Sequence, residues 1–260
     1  MVVDRSRYLY AMSPESDADP NFSPPKNSPP SWKTGRSQCD QCYMPIAWYD
    51  NIPLLSFTLL KARCRHCRTP LSWSYPLTEL LTGLIFALAG YLTLTSPPLP
   101  NPLPSLIWLL LTLATLWLIF LFDWQYMIIP DELVIATALL AIFKLPFTSQ
   151  PLSPTLISAV SLFIFFLLLR FLSLWFLHKL GMGWGDIKLI FPLALLLGYP
   201  SSLVAVFCAF IIGGVWGIIL LATKRAQTGQ ALSFGPFLIM GAILTLLWGE
   251  QLWRSYWMLV

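Results

Sequence analysis

Charge is the scarce commodity in this chain: 11% of its 260 residues are charged and only two are histidine, against 57% hydrophobic. That balance, with a mean hydropathy of +0.68, excludes an ordinary water-soluble domain and identifies an integral membrane protein. The start of the chain lacks a basic segment followed by a short apolar one, so no cleavable signal peptide is expected. The apolar runs lack the alternation of apolar and polar residues that barrel strands need, which excludes a transmembrane β-barrel. No solenoid-type repeat is present, and no glycine-rich loop follows a strand, so the residues themselves reveal no nucleotide site. The net charge of +4 is no sign of nucleic-acid binding, because where the charges lie matters more than their sum.

What the chain has in abundance is apolar runs. Spans are expected near 77–95, 103–122, 133–148, 155–177, 188–199, 201–222 and 232–249, about seven in all. The fifth is short and is separated from the sixth only by Gly198-Tyr199-Pro200. Instead of two spans, that pair also reads as a tight helical hairpin or a single broken helix. The fold class is all-α, a polytopic transmembrane helical bundle carrying a small cytoplasmic zinc-knuckle module. Three segments are expected: a disordered Pro/Ser-rich tail over 1–38, a four-cysteine zinc-binding module over 39–76, and a membrane domain over 77–260.

Basic residues set the expected orientation. Arg5, Arg7, Lys26, Lys33, Arg36, Lys61, Arg63, Arg65 and Arg68 all precede residue 77, which places that segment in the cytoplasm. Seven spans then return 123–132, 178–187 and 223–231 to the same side, with Lys179, Lys188, Lys224 and Arg225. Lys144 and Arg254 fall near the outer face.

Against this apolar background two acids stand out: Asp123 in Phe-Asp-Trp-Gln-Tyr-Met-Ile-Ile-Pro-Asp, and Asp186 in Gly-Met-Gly-Trp-Gly-Asp-Ile-Lys. Each lies at the cytoplasmic edge of a span. Ionisable groups at membrane depth are costly and usually belong to a site. Two carboxyls held together in such a place, one protonated and one ionised, can activate water against a peptide bond. The glycines at 181, 183 and 185 are expected to let the backbone come close and leave room for an extended substrate. A structural role at helix ends is the competing reading of both acids.

Cys39-Asp-Gln-Cys42 and Cys64-Arg-His-Cys67 are two Cys-x2-Cys knuckles, and their spacing suits one four-thiolate zinc site. Paired disulfides on an external loop, or a redox dithiol, are the alternatives. Cys208, alone in an apolar span, reads as a packing residue and His66 as a solvent-facing one.

These residues resemble the type IV prepilin peptidases, of the Gly-x-Gly-Asp aspartic peptidase kind. The resemblance runs from about residue 39 to the last span. It is carried by the two knuckles, Asp50-Asn51-Ile52-Pro53-Leu54-Leu55-Ser56, Tyr75-Pro76-Leu77-Thr78-Glu79-Leu80, the stretch Asp123 to Asp131, Gly181 to Lys188, and Phe234-Gly235-Pro236-Phe237, in that order. It implies an eight-span enzyme of the bacterial inner membrane with Asp123 and Asp186 as its catalytic pair. Such an enzyme removes the leader from type IV prepilin or pseudopilin precursors on the cytoplasmic side. It then methylates the new N-terminus with S-adenosylmethionine as donor. Family members carry a further hydrophobic span just before the first knuckle, where this chain has its polar tail. Many also have an acid where this chain has Gln125. The expected partners are those precursors and the lipid bilayer, with no nucleic acid.

Other functions fit parts of the pattern. A peptidase without methylation, a non-catalytic scaffold using its zinc module to bind a partner, and a proton-relaying transporter all remain open from the residues alone. Paired acids in mid-span, rather than at span ends, would suit the transporter. Among the lesser polar residues, Asp131 and Glu132 suit the first turn of a helix after Pro130. Lys188 suits the membrane interface. Glu79 suits a basic partner or the methylation site, and Arg170 an interfacial or structural role.

Overall fold

The computed structural model describes residues 37, 39, 41–42, 44–95, 102–144, 151–177, 182–223 and 233–259. The Pro/Ser-rich tail up to residue 36, Gly181 and the basic residues Lys179, Lys224 and Arg225 lie outside them. The chain divides into two compact units, Met1–Ile85 and Phe86–Val260.

In the first unit regular structure is sparse. A 3₁₀ turn at Trp48–Asn51 precedes a short helix, α1 (Leu55–Leu59), and then α2 (Ser74–Thr95), within which the division between the units falls. Leu54, Lys61, Ala62 and Arg68 all take positive φ without being glycine, conformations that cost roughly 1 kcal/mol or more each. Among the described residues of this unit, only Cys39 and Cys64 are buried. A segment with strained turns and no apolar core needs another source of cohesion. The two knuckles supply it. Cys39 N–H donates to Met44 O at 3.1 Å and Ile46 N–H to Ser37 O at 2.7 Å, which closes the first. An antiparallel bridge between Arg63 and Pro70 closes the second, with Cys64 N–H donating to Thr69 O at 2.9 Å.

The second unit is a helical bundle of α3 (Pro102–Tyr126), α4 (Asp131–Lys144), α5 (Leu152–Leu177), α6 (Trp184–Leu197), α7 (Ser201–Ala222) and α8 (Gly235–Leu259), the last with non-helical backbone at Trp248. Each expected span contains a helix. Among the described residues four are long and apolar enough to cross a membrane, over Ser74–Thr93, Leu103–Tyr126, Leu152–Phe176 and Ser201–Ala222, with Gly235–Gly249 a shorter apolar stretch. Helices α4 and α6 have 14 residues each, about 21 Å of rise, less than the roughly 30 Å of a hydrocarbon core.

The brevity of α6 goes with its position at the centre. It packs against α4, α5, α7 and α8, and Asp186, Ile187, Leu189, Ile190, Pro192, Leu193, Ala194, Leu196 and Leu197 are all buried. A helix apolar all round is one that neighbours surround. It ends at Gly198, whose φ of 78° is left-handed, and α7 begins at Ser201. The fifth and sixth runs are therefore two helical segments that break at Gly198-Tyr199-Pro200.

The broadest helix contact is that of α7 with α8. Small residues run antiparallel along it. The Cβ positions of Gly249, Gly241 and Gly213 point at Ser201, at Ala205 and Ala209, and at Phe237 respectively. At Gly241 an added Cβ would overlap the carbonyl oxygen of Ala205 and sit 3.1 Å from Ala209 N. Only glycine lets the two backbones come this close.

In α3 the buried residues Thr112, Leu116, Ile119 and Asp123 follow one another at steps of four, three and four. Asp123 thus continues an inward stripe. At the opposite end of the bundle, Lys144 donates to Leu196 O at 3.0 Å and lies 5.4 Å from the centre of the Trp108 ring. Its ammonium caps the carbonyl end of α6, where a cation is favoured.

Candidate active site and metal centre

Asp123 and Asp186, far apart in sequence, come together at one end of the bundle. Asp123 lies in the last turn of α3 and is 2% exposed; Asp186 lies in the first turn of α6 and is 4% exposed. Helix α6 starts at Trp184, four residues before the expected span, so Asp186 is helical and not part of the preceding loop. Past Asp123 the helix stops at Met127, which turns to a positive φ of 56° and donates its N–H to Asp123 O at 2.9 Å. Pro130 then starts α4 by accepting from Leu133 N–H at 3.1 Å.

The two carboxyls flank the first residue of α8. A Cβ at Gly235 would overlap Asp123 Oδ2 and lie 3.1 Å from Asp186 Oδ1. Gly235 is thus required by space, since its φ is not left-handed. The backbone N–H groups of Gly183 and Gly235 face the Asp186 carboxyl, and Asp123 sits near enough to act on it electrostatically. Gly183 is the residue before α6 and Asp186 the third within it, so the acid reaches back over the helix start in the manner of half a capping box. Ser233 donates its hydroxyl to Asp123 Oδ2 at 2.5 Å.

Neighbouring side chains hold the entry to α6. Arg170 in α5 donates to Met182 O and lies 4.7 Å over the Trp184 ring, which gives this embedded cation the structural role expected of it. Lys188 pairs with Asp131 at 3.0 Å, and both are exposed. The ion pair joins the starts of α6 and α4.

Gly183 and Gly185 differ in how closely they are approached. At Gly183 a Cβ would meet Asp186 Oδ2 only at 3.6 Å, and at Gly185 it would press on Ile129 at 3.2 Å. Gly185 is therefore small for packing against α4's approach, and Gly181 lies outside the described residues. Ser233 and Gly235 were missed as site residues by reading the sequence. Their one signal was the block Phe234-Gly235-Pro236-Phe237 at the head of an apolar run.

In the first unit, the sulfurs of Cys39, Cys42, Cys64 and Cys67 all lie within 4.8 Å of one another. Cys39 and Cys67 are 3.8 Å apart, and Cys42 and Cys64 4.0 Å. Tetrahedral zinc with bonds of about 2.3 Å requires sulfurs about 3.8 Å apart, so the donor set and its spacing fit that ion. All four are free thiols, and none of the separations approaches the roughly 2.05 Å of a disulfide. The Thr69 hydroxyl, with its N–H, holds the Cys67 thiol down to about 6. Cys42, despite an N–H from Met44, is pushed up to about 11 by desolvation and the other thiols. Four thiolates this close need a cation to coexist.

Around the cluster, Arg65 forms a fork on Asp50, from Nε at 2.8 Å and Nη2 at 2.6 Å. This contact holds the Asp50 carboxyl below its usual range. His66 is exposed, as expected. The Glu79 Oε2 accepts from Leu54 N–H at 2.8 Å and pins the positive-φ turn at Leu54.

Comparison with known proteins finds relatives over most of the chain. Residues 24–93 match the bacterial peptidase A24 N-terminal domain, and residues 110–218 match the type IV leader peptidase family. A protein of Aeromonas salmonicida (strain A449) named prepilin leader peptidase/N-methyltransferase is 33% identical over 232 residues, covering 85% of this chain and 74% of the relative. A protein of Pseudomonas aeruginosa with the same name is 30% identical over 230 residues, covering 85% and 74%. One of Klebsiella pneumoniae, again so named, is 41% identical over 174 residues, covering 64% of this chain and 70% of the relative. No solved structure matches. With both segments matched in order, and relatives aligned over most of their own length, the chain belongs to the type IV leader peptidase family.

Proposed function

We propose that this protein is a multi-pass inner-membrane peptidase that removes the leader from type IV prepilin-like precursors on the cytoplasmic side and methylates the new N-terminus. Asp123 and Asp186 are the catalytic carboxyls. The observation that carries this reading is the meeting of two buried acids from the ends of α3 and α6 at Gly235.

The chemistry follows from the pair. One carboxylate takes a proton from water as the water oxygen attacks the scissile carbonyl carbon, while the other carboxyl, protonated, hydrogen-bonds the carbonyl oxygen. As the tetrahedral intermediate collapses, the C–N bond breaks and the nitrogen leaves with a proton returned by the pair. The four cysteines hold a structural zinc that orders residues 39–67, with no part in peptide cleavage. S-adenosylmethionine supplies the methyl group in the second reaction. Among the described residues no strand–loop–helix cradle for a nucleotide is present.

The seven spans expected from the sequence, with Lys and Arg concentrated before residue 77, support a cytoplasmic site. Asp123→Asn and Asp186→Asn should each abolish leader cleavage by protein that still inserts and purifies normally, because an amide keeps the shape but cannot exchange the proton. Near-normal cleavage by either variant, measured on a precursor with purified protein, would remove that residue from the reaction.

A further inference from the structure

Asp123 and Asp186 are held by different kinds of donor. Asp186 faces backbone N–H groups, from Gly183 and Gly235, and an N–H can only donate. Asp123 instead meets a hydroxyl, that of Ser233 at 2.5 Å from Oδ2. A hydroxyl can donate to a carboxylate or accept from a carboxylic acid. Its partnership with Asp123 therefore survives the gain and loss of a proton, which aspartic chemistry demands of each carboxyl in turn.

The bland role for a serine at this place is helix capping. The geometry does not use it so. The first turn of α8 is started by the backbone of Phe234, whose carbonyl accepts from Phe237 N–H and Leu238 N–H, each at 3.1 Å. Pro236 has no N–H to offer a cap. The Ser233 side chain reaches 110 residues back along the chain to Asp123. Two residues on, Gly235 leaves room for that same Oδ2. One short segment thus both grips an oxygen of Asp123 and clears the space it occupies.

Resting on the peptidase reading above, we infer that Ser233 is a positioning residue for cleavage, whose hydroxyl fixes the Asp123 carboxyl in its orientation opposite Asp186 through both of its protonation states. Freed from it, the carboxyl would be able to turn about its side-chain bonds, and displacement of a reacting group by about 1 Å costs on the order of 100-fold in rate.

The test compares Ser233→Thr with Ser233→Val in the full-length protein, since the two side chains share a shape and differ in the hydroxyl. Cleavage of a prepilin precursor is followed for kcat and KM. Thr should keep most of kcat, while Val should lose roughly 10- to 100-fold in kcat, with KM nearly unchanged. Equal kcat for the two, or a loss confined to KM, would overturn the inference. So would a Val variant that fails to fold beside a folded Thr variant, because the hydroxyl would then serve stability. If wild-type protein itself leaves the precursor intact, the peptidase reading fails and this inference falls with it, an outcome distinct from cleavage that ignores the hydroxyl.

Discussion

Asp123 and Asp186 announce themselves in the sequence because charge is rare in the spans, whereas Ser233 and Gly235 do not. A serine and a glycine before an apolar helix have ordinary explanations in caps and turns, and only the approach of α3 and α6 reveals what they touch. The glycine pattern Gly-x-Gly-Asp draws attention to Gly183, yet that position has room for a side chain and Gly235 has none. The consequence is a sharp contrast. Gly235→Ala should lower cleavage by on the order of 100-fold, since its Cβ displaces the Asp123 carboxyl from its working position. Gly183→Ala, whose Cβ would lie 3.6 Å from Asp186 Oδ2 on extended backbone with φ −71° and ψ 153°, should keep most of the activity. Initial rates on one precursor at equal amounts of inserted protein compare the two; similar losses in both would reject the space argument.

Among the elements, the seven apolar runs are legible as helices because a chain with few charges and no alternation has few other ways to satisfy its backbone in lipid. Which of them is central is not legible. Helices α4 and α6 are equally short, but α6 is buried on nearly every face, while α4 keeps buried only Thr137 and Ala141. That difference comes from packing partners distant in sequence. The seam of α7 and α8 is likewise hidden in plain composition, because glycine is common in membrane helices and only the register makes Gly241 special. Gly241→Ala would drive a Cβ into the Ala205 carbonyl, an atom of helix backbone that cannot swing aside. The helices must separate, with an expected loss of about 1–3 kcal/mol, read as a lowered Tm in detergent. Gly217→Ala, where nothing lies within 4 Å, is the matched control in α7 and should leave Tm unchanged.

For the molecule as a whole, the division into two units separates two ways of holding residues in place. The gathering of the two knuckles into one four-cysteine cluster was legible from spacing alone. The disulfide alternative gave way once the sulfurs stood at tetrahedral and not bonded distances. In the first unit the cysteines stand in for an absent apolar core, so purified protein should carry about one zinc per chain, and stripping it should unfold residues 39–67. In the second unit the acids ride on helices that pack against each other without help from the metal. If methylation depends on the cysteine-bearing segment, replacing Cys39 and Cys42 by Ser should damage it more than leader cleavage. If the zinc module also grips the precursor, both activities should fall together. Elemental analysis of wild-type and variant protein, with cleavage and methylation rates measured on the same preparations, separates these cases. Absence of zinc from wild-type protein would overturn the metal site, equal losses of the two activities would reject their separation, and unchanged methylation would exclude the module from methyl transfer altogether.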